Sequence, residues 1–304
     1  MATQLTIRNV DENEKPRIYV SDGTAEVRFT QFKKGVYFEG NQKAIDAVNR
    51  DKETLRTLGL TDSALNVMLA VSENEGNLDA INTWDNSFMT FGMFQWTVGV
   101  GADPGELAAL LHKIKTANAG IFQAYFGQYG LDIEPVNPIS GYFILDSKKL
   151  NVPSDKERLR SIEWAFRFWK SGQDPLVQSV QIHHALSRID IFYRSNNYKV
   201  NDLYLADLIS SEYGVGLLLD NHVNRPGYVK SCVEEAFKRV NLGDPAGWGT
   251  KEEMLLIQEY LKIRAVYGQT PMTDADKRAG VTKKYLDQGI ISAERGSFQL
   301  VSSK

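Results

Sequence analysis

The stretch that decides how this chain is interpreted is Val71–Trp96, VSENEGNLDAINTWDNSFMTFGMFQW. It follows an apolar segment and contains two glutamates, Glu73 and Glu75, and then Asp85, which leads into a run of aromatic residues. Acid/base chemistry on a sugar bond needs one carboxyl group held protonated and one kept ionised, and carboxylates beside apolar aromatics offer both environments. The stretch therefore predicts either such a site or a solvated helix end followed by an ordinary buried segment.

The segment before this stretch predicts a buried helix. Thr61 or Asp62 is placed to cap it, and apolar residues occupy most of its faces. A carboxyl group at the end of a buried helix loses solvent, which raises its pKa and suits a general acid. Glu75 falls near the apolar side of the helix and precedes Gly76, which permits close approach of a substrate. We therefore favour Glu75 over Glu73 as the acid.

The pattern Asp85-Asn-Ser-Phe-Met-Thr90-Phe-Gly92-Met-Phe-Gln95-Trp96 resembles the active-site segment of chitosanase-like and peptidoglycan-cleaving members of the lysozyme superfamily. In those proteins an aspartate precedes a glycine by seven residues, and a threonine or serine lies five residues after the aspartate. An upstream helix ends in the catalytic glutamate. Residues 217–224, LLLDNHVN, also resemble the distal helix of these proteins. Glu73, followed by Asn74, resembles the chitosanase glutamate, so both glutamates stay candidates.

The resemblance implies a two-lobed, mainly α (α+β) fold that hydrolyses β-1,4-linked amino-sugar polymers, with peptidoglycan preferred and chitosan the alternative. Glu75 or Glu73 would protonate the leaving oxygen. Asp85 would activate water and Thr90 would help to hold that water, and an inverting enzyme leaves room for it by keeping the carboxyl groups about 6.5–9.5 Å apart. The candidate substrate-binding residues are Asn82, Trp84, Gln95 and Trp96.

The pattern of apolar residues changes near residue 40. Residues 1–40 alternate apolar and polar positions between turn residues, which predicts a small β element of short strands and hairpins. Residues 41–304 carry helical spacing and form the predicted lysozyme-like catalytic domain. We expect a break at Gly172–Pro175, separating two helices, and a closing strand at Phe298–Val301.

Composition limits the remaining classes of function. The net charge of −3 gives no basic surface for nucleic acid. The single cysteine, Cys232, excludes an internal disulfide and a multi-cysteine metal site. His183 and His184 are adjacent, so on a helix they point about 100° apart and cannot share a metal as an i, i+4 pair would. We expect no metal and no cofactor, and no apolar run reaches the roughly 18 residues of a membrane span.

The start of the chain, MATQLTIRNVDENEKPRIYV, does not have the pattern of a secretory signal. A wall-degrading enzyme made in the cytoplasm would then reach the cell wall or periplasm by lysis, in a phage particle or through a dedicated secretion machine, which would supply a partner. An alternative of another class is a non-catalytic phage or secretion-apparatus protein that keeps the fold. A serine hydrolase using Asp220 and His222 is disfavoured because the chain lacks a Gly-x-Ser-x-Gly elbow.

Overall fold

The computed structural model describes residues 4–12, 15–57 and 59–300. Helices make up 52% of the structure described, and the strands are antiparallel, so the protein is mainly α with a β component, as predicted. Contacts divide the chain into two compact units, one formed by residues 1–50 and 75–184 and the other by residues 51–74 and 185–304. Within the described residues, no helix is both long enough and apolar enough to cross a membrane.

The first unit contains a seven-stranded antiparallel sheet in which each strand pairs with the next along the chain. Alternate residues of its second and third strands, including Val20, Val27 and Phe29, are buried, which is the period-two pattern of a sheet with one covered face. The strands are β1 (Thr6–Glu12), β2 (Lys15–Ser21), β3 (Glu26–Gln31), β4 (Val36–Phe38), β5 (Ile81–Asn82), β6 (Thr90–Phe91) and β7 (Trp96–Thr97).

The division of the chain does not fall at residue 40. Strand β4 pairs with β5, Tyr37 opposite Asn82 and Phe38 opposite Ile81, so the N-terminal strands and the candidate site belong to one sheet. The amino-acid pattern marks where strands give way to helices at residue 40, but it carries no information about which later strand β4 joins. The N-terminal β element is therefore part of the first unit rather than a separate body.

Helices and a small hairpin complete the first unit. A cluster of phenylalanines forms part of its core, with the ring of Phe168 lying 4.9 Å from that of Phe126 and 5.4 Å from that of Phe91. The predicted break at Gly172–Pro175 is observed. The elements are α3 (Glu106–Ala117), α4 (Ala119–Tyr125), β8 (Leu131–Asn137), β9 (Ser140–Leu145), β10 (Lys148–Lys149), α5 (Pro153–Lys156) and α6 (Ile162–Ser171). Two long helices, α1 (Ala44–Thr57) and α7 (Pro175–Phe192), contribute residues to both units.

The second unit is helical. Thr61 caps its first helix, accepting a 3.0 Å hydrogen bond from the Ala64 N–H, and this helix packs against the buried α9 and against α12. Its helices are α2 (Asp62–Ser72), α8 (Leu205–Leu208), α9 (Glu212–Asn224), α10 (Val229–Val240), α11 (Thr250–Val266) and α12 (Ala275–Asp287).

The predicted closing strand is not observed over residues 298–300, and Val301 lies outside the described residues. Phe298 instead donates its N–H to the Ser210 carbonyl at 3.0 Å and packs its ring edge-on against Tyr193. Gln299 adds hydrogen bonds with Ser63 and Thr61, so side chains and single backbone bonds hold this segment without a partner strand.

Candidate active site

Glu75 begins a segment that lies directly against the turn between β6 and β7. The N–H of Gly76 donates to the Met93 carbonyl at 2.8 Å. A side chain at Gly76 would collide with this turn, because a Cβ there would lie 2.7 Å from Nε2 of Gln95. The absence of a side chain at residue 76 therefore brings the backbone of Glu75, which is half-buried, onto the turn.

Asp85, Asn82 and Thr90 meet at the end of the β5–β6 hairpin. Asn82 pairs with Thr90 in the sheet register, and its Nδ2 donates to Oδ2 of Asp85 at 2.9 Å. The other Asp85 oxygen accepts from the Ser87 N–H at 2.8 Å. The hairpin thus holds three of the residues that the sequence singled out, and both oxygens of the Asp85 carboxylate accept hydrogen bonds.

Thr90 is buried, with 3% of its surface exposed. Its Oγ1 has no hydrogen-bond partner in the part of the chain that the structure describes. Most buried hydroxyl groups in proteins are hydrogen-bonded to protein or to water. Thr90 therefore offers a hydroxyl group at the β5–β6 hairpin that is not used by neighbouring protein atoms.

Glu73 belongs to the second unit and is exposed at the C-terminal end of α2. Its carboxylate accepts a 2.8 Å hydrogen bond from the Tyr285 hydroxyl and lies 3.2 Å from Nζ of Lys284. Burial and the Glu73 carboxylate both raise the pKa of Tyr285. The contacts of Glu73 are thus made with α12, and they are those of a surface ion pair.

The two tryptophans among the candidate substrate-binding residues have different surroundings. Trp96 is 2% exposed and its ring packs 5.1 Å from that of His184, so it is a core residue. Trp84 is 43% exposed and stacks on Phe32, with the ring centroids 5.0 Å apart and the planes 19° from parallel. Gln95 has a φ of 51° and donates through Nε2 to the Gly92 carbonyl at 2.8 Å, which fixes the β6–β7 turn.

Two buried residues that the sequence reasoning missed hold this segment in place. Asp79 is 1% exposed, and its Oδ1 accepts from the N–H groups of Asn41 and Gln42, each at 2.8 Å, while its Oδ2 accepts from Gln173. Gln181 on α7 donates to the Leu78 carbonyl at 2.7 Å and accepts from the Met93 N–H. Both partners of Gln181 lie far from it in sequence, so no local sequence pattern predicts these hydrogen bonds.

Asp220 and His222 both have structural partners. In the second unit, Asp220 is fully buried and lies 3.0 Å from Arg264 and 2.8 Å from Arg278, which neutralise it. His222 shares a 3.0 Å hydrogen bond with the Tyr198 hydroxyl, and burial lowers the pKa of this histidine to about 3. Among the described residues, no group of three or more histidine, cysteine, aspartate or glutamate side chains is arranged to hold a metal ion.

Comparison with known proteins gives no significant match: no family matches the chain, and neither the curated proteins nor the solved structures include a detectable relative. The geometry of the site is therefore the basis for a functional proposal.

Proposed function

We propose that the protein is a glycoside hydrolase of β-1,4-linked amino-sugar polymers, with peptidoglycan as its substrate and Glu75 as the general acid. The observation that carries the proposal is the close packing of the Glu75–Gly76 backbone on the β6–β7 turn. This contact supports the proposal because the half-buried Glu75 lies against the β6–β7 turn. Thr90 is a residue of β6, and Asp85 lies in the loop that joins β5 to β6. A glycosidase requires two carboxyl groups that flank the scissile bond, and Glu75 and Asp85 are proposed as that pair.

Asp85 is the proposed general base. A carboxylate acts only as an acceptor while it is ionised, and the donors from Asn82 and Ser87 fix its orientation without supplying a cation. The Thr90 hydroxyl would hold the attacking water, a role supported by its lack of a protein partner within the described residues. Glu73 is not given a catalytic role, because its carboxylate is exposed and bound to Lys284 and Tyr285.

A two-lobed, lysozyme-like arrangement is the architecture that this mechanism calls for, since a polymer must pass over the acid and the base. The exposed Trp84–Phe32 pair supports a sugar-binding surface, because aromatic faces supply apolar area against which the C–H face of a sugar ring can pack. Trp84 directly precedes Asp85, so a sugar bound on this pair would lie beside the proposed base.

A non-catalytic glycan-binding protein of a phage or a secretion apparatus is the second candidate. It is favoured by one observation: both oxygens of Asp85 are bonded to residues within three positions along the chain, so the carboxylate also stabilises its own loop. A loop-ordering aspartate has no need of a base function.

The deciding experiment measures the release of new reducing ends from purified peptidoglycan and from chitosan by the full chain and by three variants. We expect Glu75→Gln to abolish release while folding is kept, because the amide nearly preserves shape but cannot donate the proton. Glu73→Gln is the matched control and should remain active. Asp85→Asn should lose about 10²–10⁴-fold in rate, the usual worth of positioned base catalysis.

The outcomes separate the candidates. A wild-type protein that binds both polymers and releases no reducing ends would support the non-catalytic alternative. Full activity of Glu75→Gln together with an inactive Glu73→Gln would assign the role of general acid to Glu73 instead. Activity retained in both glutamine variants would refute the hydrolytic mechanism.

A further inference from the structure

A cavity of about 450 Å³ opens in the first unit, lined by α4, by α6 and by Asp22 in the turn between β2 and β3. Cavities of roughly 300–1,000 Å³ are the usual size of small-molecule sites. None of the residues assigned to hydrolysis lines it. The cavity therefore needs an explanation of its own.

Arg167 differs from the other charged residues of this cavity because its guanidinium lies against aromatic rings. Its guanidinium lies 3.9 Å from the ring centroid of Tyr129 and 4.8 Å from that of Trp164. Loss of solvent lowers the pKa of Arg167, while its hydrogen bond with Tyr129 and the charge of Glu163 act in the opposite direction. A partly desolvated cation held between aromatic rings gains from an anion that replaces its lost hydration.

The other charged groups of the cavity already have partners. Lys170 forms an ion pair with Asp22 and a 3.0 Å hydrogen bond with Thr24. Asp174 accepts from the Tyr125 hydroxyl at 3.2 Å and from the Leu176 N–H at 2.9 Å. The two carboxylates place negative charge in the cavity wall and would repel a dianion such as phosphate more strongly than a monoanion. A single guanidinium matches a monoanion better than a dianion, and its planar fork matches a carboxylate.

The remaining walls are aromatic and amide side chains. Tyr125, Tyr129 and Phe166 supply ring surface, and Gln128 supplies an exposed amide at the edge. Aromatic rings provide rigid apolar area against which the C–H face of a sugar ring can pack, while amides bind its hydroxyl groups. We infer that this cavity is an accessory binding site for a carboxylate-bearing sugar, with the carboxylate on Arg167 and the sugar ring against Tyr125.

The inference goes beyond the proposed function and does not depend on hydrolysis, since the test measures binding alone. Calorimetric titration of the full chain uses three probes: N-acetylmuramic acid, N-acetylglucosamine, which lacks the carboxylate, and lactate, which lacks the sugar. We expect N-acetylmuramic acid to bind at least about tenfold more tightly than either of the others, because charge-assisted hydrogen bonds exceed that factor.

Arg167→Gln should weaken binding of N-acetylmuramic acid by about tenfold or more. Arg158→Gln is the matched control, because Arg158 is an exposed arginine of the same unit that pairs with Asp146 outside the cavity, and it should bind as wild type does. If Arg167→Gln fails to fold, Ala124→Trp decides, since residue 124 is exposed on α4 and lines the cavity. The larger ring should fill the cavity and remove binding while every charge is kept.

Equal affinity for N-acetylglucosamine would overturn the assignment to Arg167, and equal affinity for lactate would overturn the sugar component. Unchanged binding in either cavity variant, or no saturation by N-acetylmuramic acid at millimolar concentration, would overturn the whole inference.

Discussion

Gly76→Ala tests whether close packing on the β6–β7 turn positions Glu75. An added Cβ would lie 2.7 Å from Nε2 of Gln95, 3.2 Å from the Gly92 carbonyl oxygen and 3.3 Å from the Ala80 Cβ. Overpacking of this kind costs about 1–3 kcal/mol, and the loss of chain entropy in the unfolded state offsets about 0.4–1 kcal/mol. We expect a net destabilisation of about 1–2 kcal/mol. Because a catalytic group moved by about 1 Å can lose 10²-fold in rate, activity should fall much further than stability.

The assay pairs urea unfolding with the release of reducing ends from peptidoglycan. The severest contact is with the flexible end of Gln95, so Gly76→Ala should cost less activity when it is made in a Gln95→Ala protein, which has already lost the side-chain bond to Gly92, than when it is made in the wild type. Gly280→Ala is the matched control, because a Cβ at this position of α12 meets no atom within 4 Å. A Gly76→Ala protein with wild-type activity and stability would refute the positioning argument, as would an equal loss from Gly76→Ala in the wild-type and Gln95→Ala backgrounds.

Four further changes have distinct expected outcomes. Glu73→Gln should lower the free energy of unfolding by less than about 1 kcal/mol in urea titration, because it removes an exposed ion pair. A larger loss would show that the ion pair stabilises the fold more than an ordinary exposed pair does. Asp79→Ala should cost about 3 kcal/mol or more, since it leaves several donors unpaired, and a cost below about 1 kcal/mol would contradict the role given to it. His222 has a folded pKa of about 3 against 6.5 for the free side chain, so the neutral imidazole stabilises the fold above pH 6.5 and that contribution is lost as the pH falls towards 3. His222→Gln should flatten the dependence of stability on pH in that window, and an unchanged pH profile would refute the assignment. Trp84→Ala should raise KM for long glycans and leave kcat nearly unchanged, because its exposed ring is assigned to binding; a lost kcat with an unchanged KM would argue against that role.

Local signals were enough to predict many of the helices. Thr61 caps α2 as expected, since a threonine before an apolar run satisfies free N–H groups at the helix start. The Gly172–Pro175 segment separates α6 from α7 because proline cannot continue a helix but can start one. Each of these signals acts over a few residues, which is why it can be read from the sequence.

Contacts between distant residues could not be predicted in this way. Glu73 and Tyr285 are 212 residues apart, so no local pattern predicts that Glu73 has a hydroxyl partner on α12. Trp84 and Trp96 both lie among polar and aromatic neighbours, yet only the fold distinguishes the exposed ring from the buried one. Asp79 resembled any loop aspartate, and its role became visible only with its partners on other segments.

The pairing of β4 with β5 has a consequence for the order in which the protein folds. Strands β5, β6 and β7 are two residues long each, too short to persist as an isolated hairpin. Strands β1 to β4 are joined by short hairpins and can form early from local contacts, whereas Phe38 and Ile81 must close a long loop before they pair. During synthesis, the N-terminal hairpins would therefore be complete before the strands of the candidate site exist, and those strands would add to an edge already in place. A chain that lacks its first strands should assemble this site slowly even where every proposed catalytic residue is present.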